Sequence, residues 1–123
     1  MLVKKGNFYH YFLENEEITL DIKSWISPFG IEIFGKKTII NIIVPENNEG
    51  LNLKNILKQI GEEVFKEYDT LLTYPLKKKN FNSLLRCETK KNIVLEKNDS
   101  ISGKLRFKIY NFRGDFGVSV LLE

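Results

Sequence analysis

The sequence is poor in the residues from which catalytic and metal centres are usually built. Of 123 residues, one is cysteine (Cys87) and one is histidine (His10). A single thiol excludes an internal disulfide and any cysteine-based zinc site. A single imidazole leaves no second histidine to share a metal, and any His-dependent triad would have to use His10, which sits in the aromatic run FYHYF. Neither G-x-x-x-x-G-K-S/T nor G-x-G-x-x-G occurs, so the loops that cradle nucleotide phosphates are missing. No apolar run approaches the ~20 residues that span a bilayer. The opening MLVKKGNFYHYF lacks the long apolar stretch and small-residue cleavage site of a signal peptide. These absences lead us to expect an intracellular protein of a reducing compartment, with no membrane partner. Glu62 with Glu63, or Asp21 with Glu32, would be the carboxylate pairs of a metal-dependent nuclease; Glu62, Glu63 and Glu67 are more simply the wet face of a helix. Cys87 has Arg86 beside it, but its β-type surroundings suit a small buried residue better than a reactive thiol. We therefore expect no enzyme, no catalytic residue, no metal and no cofactor.

What is present is an ordinary folded domain with an uneven charge distribution. Apolar residues make up 42% and charged residues 28%, enough for one hydrophobic core in a chain of single-domain length, 1–123. The formal net charge of +3 hides a segregation. Residues 1–76 hold 8 Lys and Arg against 11 Asp and Glu, a balance of −3, whereas residues 77–113 hold 11 against 3, a balance of +8. Cations gathered into one third of a chain suit an anionic partner. The bland alternative is a solubilising lysine surface.

Periodicity places mainly β structure before residue 50. FYHYFL (8–13) is extended in character, and residues 17–25 alternate, with Ile18, Leu20 and Ile22 on one face and Lys23 and Trp25 on the other. Ile31 and Ile33 resume an alternating strand, KTIINIIV (37–44) reads as a central strand, and ENNEG reads as a polar loop. One helix is expected over about 52–70, capped by Asn52, with Leu53, Ile56, Leu57, Ile60, Val64, Phe65 and Tyr68 as its apolar stripe. Gly61 inside that stripe suggests a close approach. Strands are expected at 84–88, 93–96, 104–112 and 117–122, the last two joined by a tight turn in RGDFG.

The informative stretch is KLRFKIYNF, residues 104–112. Alternation puts Leu105, Phe107 and Ile109 on the core face and Lys104, Arg106, Lys108, Tyr110 and Phe112 on the other. Three cations followed by two rings on one wet face are not required by packing. Single-stranded nucleic acid calls for that combination: cations along the phosphates, and flat rings on which bases stack. Lys77, Lys78 and Lys79, then Arg86, Lys90 and Lys91, and Arg113 after the strand, extend the basic surface; Trp25, Lys23 and Phe34 are candidates for its continuation, although a lone Trp beside Pro28 and Phe29 is more often a core residue.

A strand, a proline and an amphipathic helix are followed by YPLKKK, a strand with basic flanks, and SGKLRFKIYNFRGDFGVSVLLE. This order resembles the OB-fold single-stranded DNA-binding proteins of tailed bacteriophages and related viruses. The similarity covers about residues 36–123, with 1–35 alike only in β character. It implies an OB-type Greek-key β-barrel of about six to eight strands with one helix. It places Arg106, Lys108, Tyr110 and Phe112 on the DNA-facing strand and Gly103 and Gly117 at turn glycines. It also implies service in DNA replication or recombination, in a host cytoplasm or nucleoid, among replication proteins. Many members recruit those proteins through a disordered acidic tail, which is not seen in the ending VSVLLE, so that route of recruitment is not expected from these residues. The expected function is sequence-tolerant binding of single-stranded DNA, with RNA the second choice. The competing class is a small phage or virus accessory module that binds a host protein; the basic character of the patterned segment argues against a nucleic-acid mimic, and leaves a general adaptor.

Overall fold

A computed structural model describes residues 1–89 and 93–123, which form eleven strands and one helix. The strands are β1 (Leu2–Lys5), β2 (Phe8–Leu13), β3 (Glu16–Glu17), β4 (Thr19–Ser27), β5 (Ile31–Phe34) and β6 (Lys37–Ile43), then, after helix α1 (Asn48–Tyr68), β7 (Leu72–Thr73), β8 (Leu76–Lys79), β9 (Asn82–Thr89), β10 (Asp99–Phe112) and β11 (Asp115–Leu122). Two-residue turns make the chain reverse at Gly6-Asn7, Glu14-Asn15, Gly35-Lys36, Asn80-Phe81 and Arg113-Gly114, each with at least one residue at positive φ. Such turns match the twist of the strands they join.

The protein is mainly β, as expected, but the closed Greek-key barrel is corrected. The sheet is open, running β1-β2-β10-β11-β9-β6-β5, with eleven strands in place of six to eight. The surplus comes from β1, β3, β7 and β8, short strands that carry too few residues to show a period in the sequence. Strand β4 pairs with the first half of β10 and comes into contact with β6, yet no ladder joins β4 to β6 among the described residues. β6 already pairs with β9 on one edge, and β5 takes part of the other, the edge that closure would need. The segment 93–96 expected as a strand carries none.

Two further corrections have local causes. Ser24, at φ +56°, is the extra residue of a β-bulge: Ile22 faces Gly103 and Trp25 faces Ile101, so Lys23 and Ser24 together oppose Ser102 alone. A bulge resets the alternation. Trp25 therefore turns into the core, 2% exposed, and is not on the wet face. The helix begins at Asn48, not Asn52, because Asn47 is the cap, its side chain accepting from the Gly50 N–H at 3.0 Å. The supposed loop ENNEG thus supplies the first helical turn, and Gly50 is needed there because a Cβ would run into the Pro45 carbonyl. Leu53, Leu57, Ile60 and Val64 bury their side chains against the sheet. Gly61 does mark a close approach: the Tyr74 hydroxyl occupies the place of its missing Cβ.

Glu49 joins helix to sheet. Its Oε1 accepts from the Trp25 indole N–H and from the Lys23 backbone N–H, both at 2.9 Å. Replacing Glu49 with alanine strands a buried indole donor, which costs about 1–3 kcal/mol. Urea unfolding of Glu49→Ala is expected to show that loss, while Glu49→Gln, which keeps an acceptor, loses less.

Candidate nucleic-acid interface

The wet face of β10 becomes the floor of a groove. Leu105, Phe107 and Ile109 are buried, 2% exposed or less, so the intervening side chains must point the other way. Antiparallel register pairs Lys108 with Ser119 and Tyr110 with Gly117; on the far side it pairs Arg86 with Asn41. The parallel match of Val120 with Cys87 sets Ser119 and Arg86 side by side one step back. A row of Lys108, Ser119, Arg86 and Asn41 thus crosses four strands. Beyond it, β11 leaves β9 and pairs with β7, while β9 pairs with β8. The Tyr74-Pro75 link between them bridges the splay, the Pro75 carbonyl accepting from the Arg86 N–H at 3.1 Å. With Asn7 and Phe8 at the opposite rim, these elements enclose a groove of about 870 Å³.

The groove gathers five of the expected residues: Lys77, Arg86, Lys108, Tyr110 and Phe112. Tyr110 is half-buried, with its phenol filling the space above Gly117, where a Cβ would collide with it. Phe112 is 65% exposed at the lip, with the Arg113 guanidinium 5.3 Å from its ring centre. The sequence-level reading missed Lys37, Phe8 and Tyr74, which also line the groove. The Lys108 ammonium lies 5.3 Å from the centre of the Phe8 ring, held there as a cation over an aromatic face. No local pattern marks these three, since each comes from a distant segment. Glu88 is the one carboxylate among the groove's described lining, and it is paired with Lys37 at 3.3 Å. Among the described residues Lys77, Arg86 and Lys108 form no ion pair.

Other expected residues fall elsewhere. Trp25 is core, and Lys23 is exposed beside the β4 bulge, outside the groove. Lys104 is exposed near the middle of β10, outside the groove, its backbone laddered to Glu123. Lys78 and Lys79 lie on the β8–β9 hairpin, Lys79 4.6 Å from the centre of the Phe29 ring. Phe34 is 58% exposed at the β5–β6 turn, opposite Lys37 but not itself part of the groove lining. Lys90 and Lys91 lie outside the described residues. Cys87 is buried, and that burial pushes its thiol well above the usual range. Among the described residues no three His, Cys, Asp or Glu side chains converge as metal ligands, and no helix is long and apolar enough to cross a membrane.

Arg106 differs from its neighbours because its charge is already matched. It donates to Glu17 Oε2 at 2.7 Å and to Glu123 Oε1 at 3.1 Å, while His10 Nδ1 lies 2.6 Å from Glu17 Oε1. Its partners are brought by β3 and by the residue after β11, which alternation along β10 could not reveal. Burial by itself would raise the Glu17 carboxyl, but the hydrogen bond and charge of Arg106, with His10, outweigh it and hold the group below its ordinary 4.5.

Comparison of the chain with known protein families, with characterised proteins and with solved structures finds no match.

A carboxylate whose folded value is depressed contributes stability above its unfolded value, and that contribution is lost as the pH falls through the folded one. Glu17 is therefore expected to stabilise the fold at neutral pH and to stop doing so in acid below its ordinary range. Urea midpoints of the native chain and of Glu17→Gln should differ most near neutrality and converge as the pH is lowered.

Proposed function

We propose that this protein binds single-stranded DNA, tolerant of sequence, in the groove floored by β10, β11, β9 and β6. The carrying observation is the row of Lys108 and Arg86, free of carboxylate partners among the described residues, beside the Tyr110 and Phe112 rings. Phosphates would lie against Lys77, Arg86 and Lys108, and bases would stack on the rings, with Asn41 and Asn111 offering side-chain amides to base edges. Protection or organisation of single strands in replication or recombination is the role such binding serves. Kinship with the OB-fold proteins of phages and viruses belongs to this proposal; the near approach of β4 to β6, the helix after β6 and the basic aromatic face of the final hairpin support it, and the open sheet departs from it.

A second reading, a protein-binding accessory module, draws on β5. It ends the sheet, and its Ile33 and Phe34 are 74% and 58% exposed. Exposed apolar edge strands invite pairing with another chain. The basic groove favours the first reading, because an edge strand uses none of its cations or rings.

Titration of labelled oligo-dT at several salt concentrations separates the two. Three phosphate contacts predict a slope of log affinity against log salt of about −2, at about 0.7 per phosphate of a single strand. The double change Arg86→Ala with Lys108→Ala is expected to flatten that slope by about 1.4 units, whereas Arg106→Ala leaves the slope unchanged and lowers stability instead. Tyr110→Ala with Phe112→Ala is expected to weaken binding by about 2–6 kcal/mol, since each stacked base is worth about 1–3. Salt-independent affinity, or equal affinity for duplex, would overturn the proposal.

A further inference from the structure

The β8–β9 hairpin ends in a residue that the fold does not ask for. Its turn is Asn80-Phe81, with φ of +51° and +69°. Both central positions of such a turn favour residues that tolerate the left-handed region; asparagine suits the first and glycine the second. Phe81 occupies the second, strained by its Cβ, and its side chain is completely exposed, at 104%. A bulky ring in that conformation, touching nothing in the protein, gains no packing from the position. Substitution by glycine would relieve the backbone and remove apolar surface from water.

The ring stands on a cationic stalk. Lys77, Lys78 and Lys79 form the adjoining strand, all exposed, and the register Lys77↔Leu84 and Lys79↔Asn82 puts Lys77 and Lys79 on one face. Leu76, Lys77 and Leu84 at the base of the hairpin line the groove, so the stalk rises from the groove's own wall. Lys79 lies over Phe29, itself 41% exposed, which sets a second ring beside the stalk. An apolar ring held out beyond a row of cations fits a polyanion with stacked faces at its end.

From this we infer that the β8–β9 hairpin is a wedge for nucleic acid: Phe81 stacks on the terminal base pair where a duplex meets the single strand held in the groove, and loosens that pair while the lysines hold the flanking phosphates. Side chains of this kind unstack base steps elsewhere by the same physics, exchanging base–base for base–side-chain contact. The inference rests on the groove reading, and adds to it a preference for junctions.

The test uses a duplex carrying a single-stranded dT tail, with a thymine in the pair next to the tail, and permanganate, which oxidises thymines that are unstacked. With the native chain bound, the junction thymine is expected to become several-fold more reactive. Phe81→Ala and Phe81→Gly should lose that rise while binding oligo-dT within about twofold of the native chain, and Phe81→Trp should restore it. Phe81→Gly should also raise the thermal midpoint by a few degrees, which shows that the fold survives the change. A native chain that binds oligo-dT without altering the junction thymine overturns the wedge and leaves the groove reading standing; so does a Phe81→Ala variant that raises the reactivity as fully as the native chain. Failure to bind oligo-dT overturns both. In a parallel arm with phosphatidylglycerol vesicles, Phe81-dependent binding without any junction response would assign the hairpin to an anionic lipid surface and overturn the wedge.

Discussion

Burial of Leu105, Phe107 and Ile109 along one face of β10 is the constraint on which the rest depends. Each such side chain is worth about 1.5–3 kcal/mol on leaving water, and all three lie on a strand held by β11 on one edge and by β4 and β2 on the other. A slip of one residue would drive Arg106, Lys108 and Tyr110 into the core and bring all three apolar side chains out. The register is therefore fixed by the interior, and the outward placement of Lys108 and Tyr110 follows from it. The core specifies the groove floor without touching any ligand.

Fixing that floor has an electrostatic consequence. Cations brought together on one sheet face repel, and the fold relieves only some of them. Arg106 is matched by Glu17 and Glu123, and Lys37 by Glu88. The relieved charges sit off the row along the strands, Arg106 two residues before Lys108 on β10 and Lys37 four before Asn41 on β6, and the unrelieved Lys108 and Arg86 belong to the row itself. Two unit charges several ångströms apart at a protein surface repel by a few kcal/mol at most, and screening by salt reduces this further. The sheet tolerates that repulsion, and a polyanion would remove it. The same distribution separates residues whose loss weakens folding from those whose loss weakens binding, although Arg106 and Lys108 are two positions apart on one strand.

Legibility from sequence followed the range of the interactions concerned. The final hairpin, the face pattern of β10 and the helical stripe from Leu53 to Val64 depend on neighbours within a few residues, and periodicity displayed them, although it also assigned to the stripe Phe65 and Tyr68, which are 52% and 41% exposed. Trp25 was placed on the wrong face because one left-handed residue, Ser24, inverts the alternation, and serine carries no mark of doing so. Asn47 was missed as the cap because Gly50 looks like a loop residue until the Pro45 carbonyl is seen against it. The groove was half visible: Lys77, Arg86, Lys108, Tyr110 and Phe112 stood in the patterned segment. Phe8, Lys37 and Tyr74 reach it only through pairings that span the chain, as do the carboxylates that neutralise Arg106. Closure of the sheet was over-read, since a strand's pattern says which face is buried and not whether its second edge finds a partner.

Tyr110 and Phe81 mark two ways in which the fold presents a ring. Tyr110 is laid against the sheet by the missing Cβ of Gly117, with few positions left to it, so stacking a base on it would cost little further side-chain entropy. Phe81 is presented instead by the backbone, at the apex of a turn whose φ values hold the ring away from every neighbour. The first arrangement suits a surface that a flexible strand slides across, because the platform is rigid and the ligand supplies the motion. The second suits a rigid end, because the ligand's own stack is then the fixed partner and the hairpin must reach it. A single strand and its junction with duplex differ in that respect, and the two rings differ in the same way.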